Sequence, residues 1–331
     1  MRNKKNKFNN VLFAIIFLGL FGVFISCKND KKEKEKIKIG NYEPSKKGIS
    51  SVQDFRMKPY PNTEEGRLAE YGEKIITETY KYFLNEDGSN INNELACASC
   101  HVKAGIQAYG IPFVGLTKLF PTYTGREDKI STLEDRINGC FERSMSGKAI
   151  DDESEEMRAI VAYMDHLSQD VTVTGKRIEG QLTPDLAVLP DRAADLDKGA
   201  EVFDMHCAVC HMKDGKGMRK PDSDKGYLYP PLQGENTFND GAGMHRMLTA
   251  AKFIKSNMPT GTTYKDPVLT DEEAYDVAAY INSFDRPHKE NRDKDYPDLS
   301  KKPKDAPFPP YYDESVPAEQ YKYGPFNWEY K

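Results

Sequence analysis

Apolar positions recur at helical spacing in four separated stretches of the chain, and the stretches fall into two pairs. In the second pair, Leu196, Gly199, Ala200 and Phe203 share one face of a stretch from Asp195 to Met205. Its partner begins after Thr270, an N-cap residue followed by Asp271, Glu272 and Glu273, and carries an apolar stripe of Ala274, Val277, Ala278 and Ile281. In the first pair, the pattern predicts a longer helix from about Glu64 to Leu84. A closing helix is predicted from about Glu153 to Leu167, with Met157, Ile160, Val161 and Met164 inward. Val171 to Pro190 holds Thr, Gly and Pro without a period and reads as a linker. Beyond Arg286-Pro287 the helical period is lost. Residues 286–331 hold eight prolines and nine aromatics, too aromatic for an inert tail. An extended arm packed across both halves is expected, with proline-rich partner recognition as the alternative.

The N-terminus follows another pattern. Arg2, Lys4, Lys5 and Lys7 precede an unbroken apolar run from Val11 to Ile25, shorter than a membrane span. The run ends in Phe24-Ile25-Ser26-Cys27, which resembles a bacterial lipobox. Cleavage there would leave a lipid on Cys27 and anchor the chain to a membrane of the bacterial cell envelope, facing the periplasm or the surface. An uncleaved anchor or another cleavage site are the alternatives. Lys28 to Lys38 is almost wholly charged or amide and reads as a solvated tether. The formal charge is −5, and loss of residues 1–26, with four basic and no acidic residues, makes it −9. Nucleic acid is excluded as a partner on that ground, and an anionic substrate would need a locally basic site.

Each pair of helices encloses one signature: Cys97-Ala98-Ser99-Cys100-His101 and Cys207-Ala208-Val209-Cys210-His211. C-x-x-C-H is the attachment site of c-type haem: the two thiols form thioethers with the porphyrin vinyl groups, and the histidine ligates the iron. A zinc or redox C-x-x-C pair is the competing reading. The expectation is an all-α protein of two cytochrome c-type, class I-like domains, holding two covalently bound haem c groups, with an extended C-terminal arm. The boundaries are a leader at 1–26, a tether at 27–62, a first domain at 63–175, a linker at 176–190, a second domain at 191–287 and the arm at 288–331. Six cysteines divide into Cys27, four for haem, and Cys140, which is left without a disulfide partner.

The second axial position on each iron decides between electron transfer and chemistry. In the second domain Met258, in Asn257-Met258-Pro259, lies 47 residues after His211, and a thioether there suits electron transfer. Met244 and Met247, expected on a helix, are its competitors. The first domain has no Met-Pro. Cys140 stands 39 residues after His101, on a short helix that Thr132 and Asp135 would cap. Arg136, Cys140, Arg143 and Ser144 share one face of that helix. Guanidiniums beside a thiol favour the thiolate, which binds metal and attacks sulfur, and they also hold oxyanions. Arg126 and Lys148 would add charge. The alternatives are an inert buried cysteine beside a solvated arginine face, or ligation by Met145.

The segment Arg136-Ile137-Asn138-Gly139-Cys140-Phe141-Glu142-Arg143-Ser144-Met145-Ser146-Gly147 resembles the dihaem thiosulfate dehydrogenases. So do Asn257-Met258-Pro259-Thr260-Gly261, Asp276-Val277-Ala278-Ala279-Tyr280-Ile281 and Tyr323-Gly324-Pro325-Phe326. The resemblance spans about Glu64 to the C-terminus. It implies a catalytic first haem ligated by His101 and Cys140, with Arg126, Arg136 and Ser144 lining the substrate pocket. It implies a relay haem ligated by His211 and Met258. Some members carry a lysine immediately before that methionine as an alternative ligand; here Asn257 stands there and Lys255 is out of place. The implied reaction joins two thiosulfates into tetrathionate, reversibly, through a Cys140 adduct. Thiosulfate would dock against Arg126, Arg136 and Arg143, and two electrons would pass to an external acceptor such as a small cytochrome. Two other readings stand beside it: a non-catalytic electron carrier, and a sulfur-oxidation cytochrome that transfers thiosulfate to a carrier protein.

Overall fold

A computed structural model describes residues 48–221 and 223–328. The expected leader, Cys27 and the charged tether segment lie outside the described residues. The first half is framed by α1 (Glu64–Glu78), α2 (Leu133–Arg143) and α3 (Glu155–Ser168). The second is framed by α4 (Leu196–His206), α5 (Met247–Asn257) and α6 (Asp271–Ser283), and a short α7 (Ala318–Tyr323) lies in the arm. The few strands are short: β1 (Thr122–Thr124) pairs antiparallel with β2 (Lys129–Ser131), and β3 (Met218–Arg219) with β4 (Tyr227–Tyr229).

The helices start where their caps dictate. Thr63, Ser154 and Asp195 accept hydrogen bonds from first-turn amides of α1, α3 and α4. Thr132 with Asp135, and Thr270 with Glu273, form reciprocal capping boxes on α2 and α6. At the other end α1 is shorter than its periodicity predicts, because the chain tightens into a 3-10 turn at Thr79–Lys81. That turn aims the Thr79 hydroxyl at the backbone N–H of Cys97, which donates to it at 3.0 Å.

The repeat seen in the sequence is a repeat in packing. In each half the first and last helices cross at a glycine. A Cβ on Gly72 would lie 2.0 Å from the Ala159 carbonyl oxygen, and one on Gly199 would lie 2.3 Å from that of Asp276. Only hydrogen at these positions allows such close axes. One core then gathers Ile75, Ile76, Phe141, Met157, Ile160 and Tyr163, and the other Phe203, Met247, Ala251, Tyr275, Val277 and Ala278. Each fully buried aliphatic side chain contributes roughly 1.5–3 kcal/mol.

Two features depart from expectation. Packing begins before residue 63: Ile49 and Ser51 form bridges with Val171 and Glu179, and Val52 is buried, so the end of the expected tether is part of the first half. Met244 lies in a 3-10 turn, Gly243–His245, rather than on the helix that starts at Met247. The arm does cross both halves. The Tyr296 amide donates to the Arg126 carbonyl, Asp305 accepts from Arg246, and the Ala194 amide donates to the Tyr323 carbonyl. The halves also meet directly: Asn93 donates to the Thr237 carbonyl at 3.0 Å, and Asn239 to that of Glu142 at 2.8 Å.

Candidate active site

Each C-x-x-C-H motif ends in a histidine held the same way. His101 Nδ1 lies 2.6 Å from the Ile111 carbonyl oxygen, and His211 Nδ1 lies 2.7 Å from that of Pro230. A carbonyl only accepts, so Nδ1 carries the proton and Nε2 keeps its lone pair, the tautomer a metal-binding imidazole needs. Phe113 stacks on His101 at 4.2 Å. The loop that brings Ile111 round contains Lys103, Ala104, Tyr109 and Ile111 at positive φ, a concentration of strained backbone that marks a functional loop.

Each histidine faces a cavity. The second-half cavity, about 900 Å³, is lined by Cys207, Cys210, His211, Leu232, Phe238 and Met258. Its walls are predominantly apolar, with the two motif thiols, His211 and the neighbouring His206 at the attachment end and a thioether among the lining, a donor set that suits haem c. Met244 also lines this cavity; Met247 is buried in the core instead. The first-half cavity, about 960 Å³, is lined by Cys100, His101, Ile111, Arg136, Cys140 and Ser144. It fits the same group, with a thiol among its lining. Met145 is buried and does not line it. Cys100, Met244 and Phe253 line both cavities, so one wall separates them.

Around Cys140 the electrostatics are local. Burial pushes its thiol up, but the Arg136 guanidinium, joined by the facing His101 ring when that ring carries a second proton, outweighs that and holds it at about 6. Arg136 Nη1 donates to Cys140 Sγ at 3.0 Å. Before haem attachment, burial pushes three thiols of the attachment motifs the other way: Cys97 to about 11, and Cys100 and Cys207 to about 12. Cys140 alone of these is poised as a thiolate, and the helical spacing that puts Arg136 one turn before it is the cause.

A third, more polar cavity of about 1480 Å³ adjoins the first-half cavity at Arg136, Ser144 and Gly243. Arg126, Arg143, Lys129, Tyr296 and Lys301 line it. All five expected residues, Cys140, Arg136, Ser144, Arg126 and Arg143, therefore line two connected spaces. Their availability differs. Arg143 gives two hydrogen bonds to Asp295, at 2.8 and 3.0 Å. Arg126 donates to the Gly241 carbonyl and the Tyr296 hydroxyl, and its guanidinium lies 5.7 Å from the centre of the Tyr296 ring. Lys148 does not line this cavity and lies in a separate surface cleft. Sequence reasoning missed Asp295, Tyr296 and Lys301, all on the arm, and Gly243 and Phe253, which the second half contributes to the first cavity together with Met244, considered there only as a rival to Met258. Residues 295–301 had no period or motif to announce them. Lys255, four residues along α5 from Ala251, is paired with Asp271 and does not line the second cavity.

The chain matches two family models: the SoxA/TsdA cytochrome c domain over residues 81–173, and cytochrome c over residues 196–285. It is 41% identical to a thiosulfate dehydrogenase of Psychrobacter arcticus over 239 residues, covering 72% of this chain and 69% of the relative. It is 37% identical to one of Stutzerimonas stutzeri, covering 84% and 86%. A solved thiosulfate dehydrogenase, TsdBA of Marichromatium purpuratum, superposes with a TM-score of 0.63 at 31% identity, over 70% of this chain and 48% of that one. The chain thus spans about half the length of that structure. Two cytochrome c domains, two C-x-x-C-H cavities and these relatives agree: the chain belongs to the thiosulfate dehydrogenase family and carries two covalently bound haem c groups.

Proposed function

We propose that this chain interconverts thiosulfate and tetrathionate, with Cys140 as the sulfur nucleophile. The observation that carries the reading is Arg136 Nη1 at 3.0 Å from Cys140 Sγ, in a cavity that opens onto a basic vestibule. His101 and Cys140 would hold the first haem, and His211 and Met258 the second; when bound, the haems accept the two electrons of the reaction and pass them on. Cys97 and Cys100, and Cys207 and Cys210, would supply the thioether links.

Arg136 and Ser144 lie where the haem cavity meets the vestibule and would hold the sulfonate of thiosulfate. The Cys140 thiolate joins the sulfane sulfur: one S–S bond forms, two electrons leave, and Cys140 carries an –S–SO₃⁻ group. A second thiosulfate attacks that sulfane sulfur, breaks the bond to Cys140, restores the thiolate and leaves as tetrathionate. The reverse sequence needs the same atoms and consumes two electrons. Arg136 serves both directions, because it stabilises the thiolate as attacker and as leaving group. Arg126, packed on Tyr296, adds positive charge beyond the first anion.

Export as a lipoprotein through Cys27, and an external electron acceptor, belong to the same proposal; its ground is the N-terminal sequence and the need to discharge two electrons. No helix among the described residues is long and apolar enough to cross a membrane. The test is a redox assay of the purified dihaem protein, with thiosulfate and an artificial acceptor, then tetrathionate and a reduced donor. Turnover in either direction is expected; none in both rejects the reading. Low-temperature electron spin resonance should show a thiolate-ligated low-spin haem, and its survival in Cys140→Met would remove Cys140 as ligand.

A further inference from the structure

The vestibule is larger than one thiosulfate needs, and its cations are unequally engaged. Lys129 is paired with Asp135 at 2.8 Å, Arg143 with Asp295, and Arg136 with Cys140. Arg126 is held by the Gly241 carbonyl and Tyr296. Two carboxylates on the lining are also engaged by cations: Glu127 lies 3.8 Å from Arg143 and Glu142 lies 4.0 Å from Lys289. Among the described residues, Lys301 is the one cation on this lining that closes no ion pair within 4 Å and donates no side-chain hydrogen bond; the carboxylate that feels its charge is Asp298, three residues before it. It is solvent-exposed, and its stem packs on the β1–β2 turn: a Cβ on Gly125 would lie 3.1 Å from the Lys301 Cβ. The arm is thus laid against the turn that carries Arg126.

A strained residue fixes this arrangement. Tyr296 has φ of 61°, the left-handed region that a bulky side chain rarely occupies. In that conformation its amide donates to the Arg126 carbonyl at 2.7 Å, while its ring and hydroxyl support the Arg126 guanidinium. Strain of this kind is tolerated where the surroundings over-determine it, and it clusters at binding sites.

We propose that Lys301, with Arg126, forms a second anion subsite at the outer end of the vestibule, which takes the incoming thiosulfate or the distal sulfonate of tetrathionate. The assignment rests on the thiosulfate–tetrathionate reading. The chemistry requires such a place. While Cys140 carries –S–SO₃⁻ beside Arg136 and Ser144, a dianion must approach an already anionic adduct. The Lys301 ammonium at the mouth, which no hydrogen bond ties down, offsets that repulsion and raises the local concentration of the attacker. In the reverse direction the same group holds the thiosulfate that departs when Cys140 attacks tetrathionate. Lys301 touches the second anion, whereas Tyr296 positions Arg126.

The test uses the purified dihaem protein and the variants Lys301→Glu, Lys301→Gln and Lys301→Arg. With thiosulfate and an artificial acceptor, Lys301→Glu should raise the half-saturating concentration about tenfold and leave kcat within about twofold, a change of local charge acting on encounter. Lys301→Gln should raise it less and flatten its dependence on ionic strength. Lys301→Arg should restore both. The half-saturating tetrathionate concentration should move in parallel. If the parent protein turns over neither compound, the functional reading itself fails. If it turns over both and Lys301→Glu and Lys301→Gln keep half-saturation within about twofold, the second subsite is rejected while the functional reading stands.

Discussion

Arg143 and Asp295, 152 residues apart, are joined by two hydrogen bonds of 2.8 and 3.0 Å, with their side chains only 11% and 8% exposed. The guanidinium comes from the last turn of the Cys140 helix and the carboxylate from the arm. Removing Asp295 leaves the buried Arg143 charge with only the more exposed Glu127, 3.8 Å away, against it, so Asp295→Ala should cost about 3 kcal/mol. Chemical denaturation should show a lower midpoint at unchanged slope. Replacing both, Arg143→Met with Asp295→Leu, should recover most of the loss, because an apolar pair of similar volume leaves no charge to satisfy. A double variant as unstable as Asp295→Ala would mean that the arm is anchored elsewhere.

Arg136 acts at closer range. Its bond to Cys140 Sγ is the one specific cationic contact that the thiolate receives from its own helix. Arg136→Ala should lower kcat/KM for thiosulfate about a hundredfold, the scale seen when one preorganised donor is lost. Arg136→Lys should recover only part of this, since an ammonium on a flexible stem cannot bridge thiolate and sulfonate as a planar fork does. Steady-state kinetics on proteins with equal haem content would decide. Equal activities for Arg136→Ala and the parent would remove Arg136 from the site.

The sequence disclosed this site in proportion to how local it is. Two five-residue motifs located the histidine that faces each cavity. Spacing on one helix brought Arg136, Cys140 and Ser144 to one face, and the capping residues Thr132 and Asp135 are where the pattern put them. What stayed hidden depends on tertiary contact. No local rule pairs Arg143 with Asp295, brings Tyr296 beneath Arg126, or makes Met244 and Phe253 a wall common to both cavities. The early start of the first half was hidden as well, because Ile49 and Val52 sit in a polar stretch, and Val52 is buried and Ile49 half-buried only once residues 171–179 lie beside them.

His245 gives a pH prediction. Burial, then the positive charge of Arg286, pushes its imidazole down to about 3, while Asp240 and Asn282 act the other way and Arg292 adds to the lowering. The folded state therefore holds the neutral ring, and the unfolded chain takes up a proton near pH 6.5. This contribution to stability is complete above about pH 6.5. It is lost progressively as pH falls toward 3, at up to roughly 1.4 kcal/mol per pH unit. Unfolding midpoints measured between pH 7 and pH 4 should fall less steeply in His245→Gln than in the parent. Parallel slopes would show that other groups set the acid limb.

Asn257 ties the two halves at the residue before Met258. It is 4% exposed, and its amide is fully engaged. Nδ2 donates to the carbonyls of Tyr109 and Phe253, each at 3.1 Å, and Oδ1 accepts from Gln107 at 3.0 Å. Gln107 and Tyr109 belong to the strained loop that ends in Ile111, the residue whose carbonyl holds His101. The loop behind one histidine is thereby fastened to the expected axial methionine of the other domain. Asn257→Leu would take one of two donors from the buried Tyr109 carbonyl, which keeps Thr183 at 3.0 Å, and would remove the acceptor of the half-buried Gln107 amide, at a cost of about 1 kcal/mol. With the clamp gone, Met258 should be less firmly held. The absorption band of ferric haem with thioether ligation should weaken, and the potential of the second haem should fall, because a thioether ligand raises it. Lys255 is held by Asp271, so Lys255→Ala should leave that band unchanged and separate loss of the methionine from capture by a lysine. If Asn257→Leu keeps both band and potential, Met258 is positioned by its own helix end, where its amide already donates to the Ile254 carbonyl at 2.8 Å.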